Sequence, residues 1–259
     1  MGNQENYEKK IDVLTAIEES RIKRPHHIPV NTYLQEADNL YIWVQDDREA
    51  LTASGLSWEF VEDLPIRRGA LVHAEAIWQS QWKAEKDSSR EWAERSPLAY
   101  ELRNRMLKNF RFAFRNDPQL PKAVRRIGKG RAHANMIQDL NDLCALGEVN
   151  TPLLEAINFD LSLLERADRE AAEMADLLAR ATSDRRAYNK AREIRDRAYT
   201  HLKEAVDEIR DYGQFVFRDN KERFWGYRSQ FLREAKRKRA RKRKEAEAVK
   251  SDTAGNAPK

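Results

Sequence analysis

At 259 residues, with 41% hydrophobic content and six tryptophans, the chain can fill one large core or two ordinary ones, which excludes a wholly disordered protein. Charged residues reach 35% with a net charge of +5, while Gly and Pro number only 9 and 8, so helix is favoured over sheet. The single cysteine, Cys144, excludes an internal disulfide and a cysteine metal cluster, and its expected place is a small buried core position.

Taken in chain order, residues 5–24 carry Ile11, Leu14, Ile17 and Ile22 at helical spacing, and Pro25 ends that helix. The stretch "PHHIPVN" reads as a connector. Asn31 then caps a helix with Leu34, Ala37, Leu40, Tyr41 and Val44 on one face. Pro65 suits the first turn of a helix reaching Lys86, with Leu71, Ala74, Trp78 and Trp82 aligned. Ser88 and Glu91 have the spacing of a capping box, which predicts a fresh helix running to "FRNDP".

In the second half, Gly147 suits a left-handed helix end, Asn150 or Thr151 a cap and Pro152 a first turn. Leu154, Ile157, Leu161, Leu164, Ala171 and Leu178 keep nearly one face, which predicts one helix over about seven turns. After "TSD" a further helix carries Ala191, Ala198, Leu202, Ala205, Ile209, Tyr212 and Val216, the seam of an antiparallel bundle. Gly213 within it implies that a backbone or a large ring approaches closely. A last helix from near Asn220 carries Phe224, Tyr227 and Phe231. No window alternates as a strand would.

Two short stretches resemble each other. "RFAFRND" begins at Arg111 and "QFVFRDN" at Gln214, 103 residues later. Sliding residues 34–117 onto 137–220 without a gap gives 12 identities in 84 positions, about twice what composition alone supplies. Leu40 meets Leu143, Glu62 meets Glu165, and Phe112, Phe114 and Arg115 meet Phe215, Phe217 and Arg218. The expectation is therefore an all-α fold of two tandem, duplicated helical bundles with a basic, partly disordered C-terminal tail. Its divisions are 1–117, a connector at 118–133, a second bundle at 134–232 and a disordered tail at 233–259. On a helix Phe112 and Phe114 point about 200° apart, which predicts a helix packed between neighbours on both sides.

The chemistry-bearing residues are sparse. None of His26, His27, His73, His133 and His201 follows a Glu at the spacing a di-metal bundle site needs. His201 with Glu204 and Glu208 reads as a part-buried histidine beside surface acids. "GKG" at Gly128–Gly130 lacks the spacing of a phosphate loop. An enzyme is thus the least favoured reading, a metal-dependent helical-bundle enzyme included, and no cofactor, metal or catalytic residue is expected.

Charge is concentrated at the end. Arg233–Lys250 holds ten Lys/Arg against three Glu, a net +7, so residues 1–232 sum to −2. Lys236, Arg237, Lys238, Arg239, Arg241, Lys242, Arg243 and Lys244 form a polyanion-attracting run. Just upstream "RFWGYR" interleaves cations and rings like a base-stacking surface, with Trp225 the ring least explained by packing. No stretch approaches the roughly 18 apolar residues of a membrane span, and the first ten residues lack the apolar run of a signal peptide. The functional expectation is a cytoplasmic, non-catalytic helical scaffold or protein-interaction module. The alternative is a nucleic-acid-binding protein acting through the tail, with Trp225 at its root.

Overall fold

The computed structural model describes residues 2–255, with side chains for residues 2–246. It is 82% helical and contains no strand among the described residues. The helices are α1 (Asn3–Ala16), α2 (Val30–Gln45), α3 (Arg48–Ala53), α4 (Glu59–Ala113), α5 (Leu120–Ile127), α6 (His133–Val149), α7 (Thr151–Glu155), α8 (Ser162–Val216), α9 (Lys221–Gly226) and α10 (Gln230–Gly255), with a 3-10 turn at Glu19–Arg21 after α1.

Two 55-residue helices replace four expected shorter ones. The Ser88 hydroxyl caps nothing: it bonds back to the Glu85 carbonyl at 3.2 Å, inside an unbroken α4. "TSD" likewise lies within α8. Ion pairs lace the polar stretches of the two helices together: Glu85 with Arg185, Glu91 with Arg180, and Arg95 with Glu170 and Glu173. Each such surface pair is weak, and several together add modestly to a helix that also buries Ala171, Met174 and Leu177. The expected helix through Leu154 and Leu178 breaks instead at residues 156–161, where Asn158 adopts φ 53°. Leu161 precedes α8 and is only half-buried, against the expectation of a core position.

Gly147 does not end a helix. It lies inside α6, at a close approach where a Cβ would meet Leu164 at 2.4 Å and the Phe110 ring at 2.9 Å. The inference about Gly213 holds: a Cβ would come within 2.1 Å of the Tyr227 ring. The connector at 118–133 contains α5, and the C-terminal run forms α10 rather than a disordered tail, since Ala, Glu, Lys and Arg are strong helix formers. Residues 256–259 of that tail lie outside the described residues.

The chain groups into two compact units. One holds Met1–Trp78 with Ala191–Lys259, the other Gln79–Lys190. The expected division at 118–133 is not the one observed, because α4 and α8 each give their first part to one unit and the rest to the other. The first unit buries Leu40, Leu51, Leu71, Leu202, Ile209 and Tyr227; the second buries Leu143, Leu154, Met174, Ala99, Met106 and Val124. Every residue in the first set lies 103 positions from its counterpart in the second. The same spacing separates α2 from α6, α3 from α7, and α4 from α8 at their first residues.

Candidate nucleic-acid interface

The basic run is anchored by a buried polar network. Asn220 caps α9 by accepting the Arg223 backbone N–H at 3.2 Å. That cap aims the Arg223 side chain back at the end of α2 and the turn after it, where it donates to the Asp47 carboxylate and, at 3.0 Å, to the Trp43 carbonyl. The guanidinium also lies 4.1 Å from the Trp43 ring centroid. Burial works most strongly against the Arg223 charge, but the Asp47 hydrogen bond and the charges of Asp47 and Asp46 together outweigh it and raise the pKa. The Tyr227 hydroxyl donates to the same Asp47 oxygen at 2.5 Å. Burial, then Asp47, push that hydroxyl well above the usual tyrosine range. Its ring stacks on Phe217 at 5.7 Å and fills the space over Gly213. A Cβ on Gly226 would sit 2.1 Å from the Trp43 ring, so only glycine lets α9 lie flat there.

One turn further, buried Glu36 fixes the start of α10. It accepts hydrogen bonds at 2.9 Å from Ser229 Oγ, from the Phe231 backbone N–H and from Arg210 Nη2. Ser229 Oγ in turn accepts the Leu232 N–H at 3.2 Å. An acid at a helix N-terminus with an N-capping hydroxyl is a favourable start.

Between these anchors lies a cleft of about 300 Å³, lined among others by Glu36, Asn39, Trp43, Arg210, Glu222, Trp225, Arg228 and Arg233. Trp225 is 43% exposed, whereas Phe224 is half-buried and Tyr227 fully buried, so Trp225 is the open ring of "RFWGYR". The Arg228 and Arg233 guanidiniums stand 5.6 and 5.3 Å from its centroid. Lys236, Arg237, Lys238, Arg239, Arg241, Lys242, Arg243 and Lys244 are all exposed on α10, and Arg241 pairs with Glu245 at 3.2 Å. At 100° per residue they surround the helix axis rather than form one stripe. The expected tail cations therefore do not converge on Trp225. Arg228 and Arg233 do.

Trp43, Arg210 and Glu36 escaped the sequence reading. Trp43 lies 182 positions from Trp225, and no local pattern links them. Glu36 left a trace: it sits beside the apolar stripe of Tyr33, Ala37 and Leu40, where an acid needs partners.

The second unit has a counterpart cleft of about 630 Å³ between α5 and α6. Asp139, Asp142, Leu146 and Ala123 line it at positions 103 from Glu36, Asn39, Trp43 and Gly226. Buried Asp139 accepts from Arg103 Nε at 2.6 Å, so both clefts place a buried, arginine-paired acid at the same position of corresponding helices.

His201 and Cys144 are unsuited to catalysis. His201 is buried; burial first, then the charges of Arg67 and Lys10, push it down to about 4. Burial of Cys144 raises its thiol to about 11. Neither exchanges a proton nor attacks readily at neutral pH. Among the described residues no cluster of three His, Cys, Asp or Glu side chains could hold a metal ion. No described helix is long and apolar enough to cross a membrane. Comparison with family models, with curated proteins and with solved structures finds no match to this chain.

Proposed function

We propose that this protein is a non-catalytic helical scaffold, a protein-interaction module acting through exposed faces of two related helical halves. The observation that carries the reading is a surface device that occurs twice. Phe112 and Phe215 are 56% and 65% exposed, each near the end of a 55-residue helix. Arg115 stands 4.1 Å from the Phe112 ring, and Arg218 stands 5.8 Å from the Phe215 ring. The expectation that both rings of each Phe-x-Phe pair are packed is thereby corrected: Phe114 is buried against Phe110, and Phe112 faces solvent. A ring left more than half exposed still has apolar surface to give to a partner, worth part of the about 1.5–3 kcal/mol of a wholly exposed one. Aromatic and arginine side chains are also those that anchor interfaces. The shared spacing of elements and core positions supports descent of the two halves from one unit of about 100 residues. A cytoplasmic location goes with this reading, since the one buried thiol makes no demand on an oxidising compartment.

Affinity co-purification with the intact protein tests it. Proteins captured by the wild type should be lost to a Phe112→Ser/Phe215→Ser variant whose circular dichroism is unchanged. Retention of the same proteins by that variant would remove the reading's support.

A second reading, nucleic-acid binding through α10, is favoured by the eight exposed cations from Lys236 to Lys244. Such density attracts polyanions by counterion release.

A further inference from the structure

We propose that the cleft at the root of α10 holds one nucleotide of a single-stranded nucleic acid, with its base on Trp225 and its phosphates on Arg228 and Arg233. The inference rests on the second reading above and gives it a defined site. Three residues lining this cleft carry buried N–H groups that find no acceptor among the described residues: Trp43 Nε1, Arg210 Nε and Arg233 Nε. Buried donors are ordinarily satisfied, and Arg233 Nε becomes free to reach an acceptor in the cleft once its guanidinium leaves the Trp225 ring. A phosphodiester supplies acceptors and no donors.

The acids at the cleft leave Arg228 and Arg233 available. Glu36 is engaged by Arg210, Ser229 and Phe231, and Glu222 is exposed at the rim. Arg228 and Arg233 lie against the Trp225 ring and make no ion pair among the described residues. Exposed guanidinium–indole contacts are weak. A base can therefore take the place of a guanidinium over the indole, releasing that cation to an adjacent phosphate. The strand then continues along α10, where Lys236–Lys244 supply charge without sequence preference. A duplex, whose bases are already stacked on each other, cannot offer a ring to Trp225. An acidic peptide offers carboxylates but no base to stack.

Titration of the full chain with an oligo-dT strand of about 20 nucleotides, read by fluorescence anisotropy over a salt series, tests the site. Trp225→Ala should weaken binding about 5- to 100-fold while leaving the slope of affinity against salt unchanged, and Trp225→Phe should recover most of the loss. Replacing Lys236, Arg237, Lys238 and Arg239 together by Ala should instead flatten that slope by about 2–3. If the charge variant loses binding and Trp225→Ala does not, the cleft assignment is wrong and the tail reading stands. Absence of binding to any variant at physiological salt overturns both. Equal competition by polyglutamate overturns the nucleic-acid assignment in favour of an acidic protein surface.

Discussion

In the first unit the Tyr227 ring lies over Gly213, and Val44 is buried on α2; 103 positions away, the second unit has Val124, Phe110 and Gly147. An aromatic ring fills the core at this level in both units, but it comes from the C-cap of α9 in one and from a 55-residue helix in the other. The glycine moves accordingly, from beneath the tyrosine to beneath the phenylalanine. Exchanges that keep total volume are the ones a core tolerates best. The consequence is chemical. A tyrosine brings a hydroxyl that must be satisfied, and Asp47 satisfies it together with Arg223, whereas the position 103 beyond Asp47 is Asn150. The first unit thereby gains the polar anchor that holds α9, and with it Trp225, at the root of α10.

The largest effect is expected at a position where both units are fully buried but differ in volume. Leu202 and its counterpart Ala99 are both fully buried. Leu202→Ala should cost about 2–5 kcal/mol in chemical denaturation, because its surroundings are packed for the larger side chain. A cost below about 1 kcal/mol would mean that the first unit already tolerates the packing of the second.

Acid provides the next test. An unfolded His201 binds a proton below its ordinary value of 6.5, whereas the folded one does so only near 4. Stability should therefore fall as pH drops through this window, by about 3 kcal/mol in total. The counterpart position is Leu98, which is exposed and carries no such liability. His201→Gln should flatten the dependence measured by denaturation at several pH values. An unchanged slope would place the acid sensitivity elsewhere.

Gly213→Ala should cost about 1–3 kcal/mol, since the Tyr227 ring is held between Phe217 and Asp47 and cannot retreat. Gly147→Ala should cost less, because its nearest obstacle is the movable end of Leu164. Equal thermal shifts for the two variants would break the comparison. At the small end, Phe112→Ser and Phe215→Ser should each change stability by no more than about 0.5 kcal/mol, as befits exposed rings.

Much of this fold is legible locally. The apolar stripe of Leu34, Ala37, Leu40 and Val44 names the buried face of α2, and Leu202, Ala205 and Ile209 name that of α8. Helix boundaries are less legible. The Ser88–Glu91 pair has the spacing of a cap, but a serine hydroxyl satisfied by the carbonyl three residues earlier permits helix to continue. The division into units is not legible from composition, because it depends on how two long helices share their ends, which no linker marks. Of the candidate site, Trp225 and the cations of α10 can be read from "RFWGYR" and the basic run. Trp43 and Arg210 cannot, since they reach the cleft through tertiary packing alone.

Truncation after Leu232 tests the central claim most directly, because it removes most of the basic helix and keeps the Phe112 and Phe215 surfaces. The account predicts a thermal midpoint within about 4 °C of the intact protein, since little apolar surface is lost, and capture of the same protein partners. Loss of those partners on truncation, or sequence-selective nucleic-acid binding by the truncated chain, would contradict the scaffold reading.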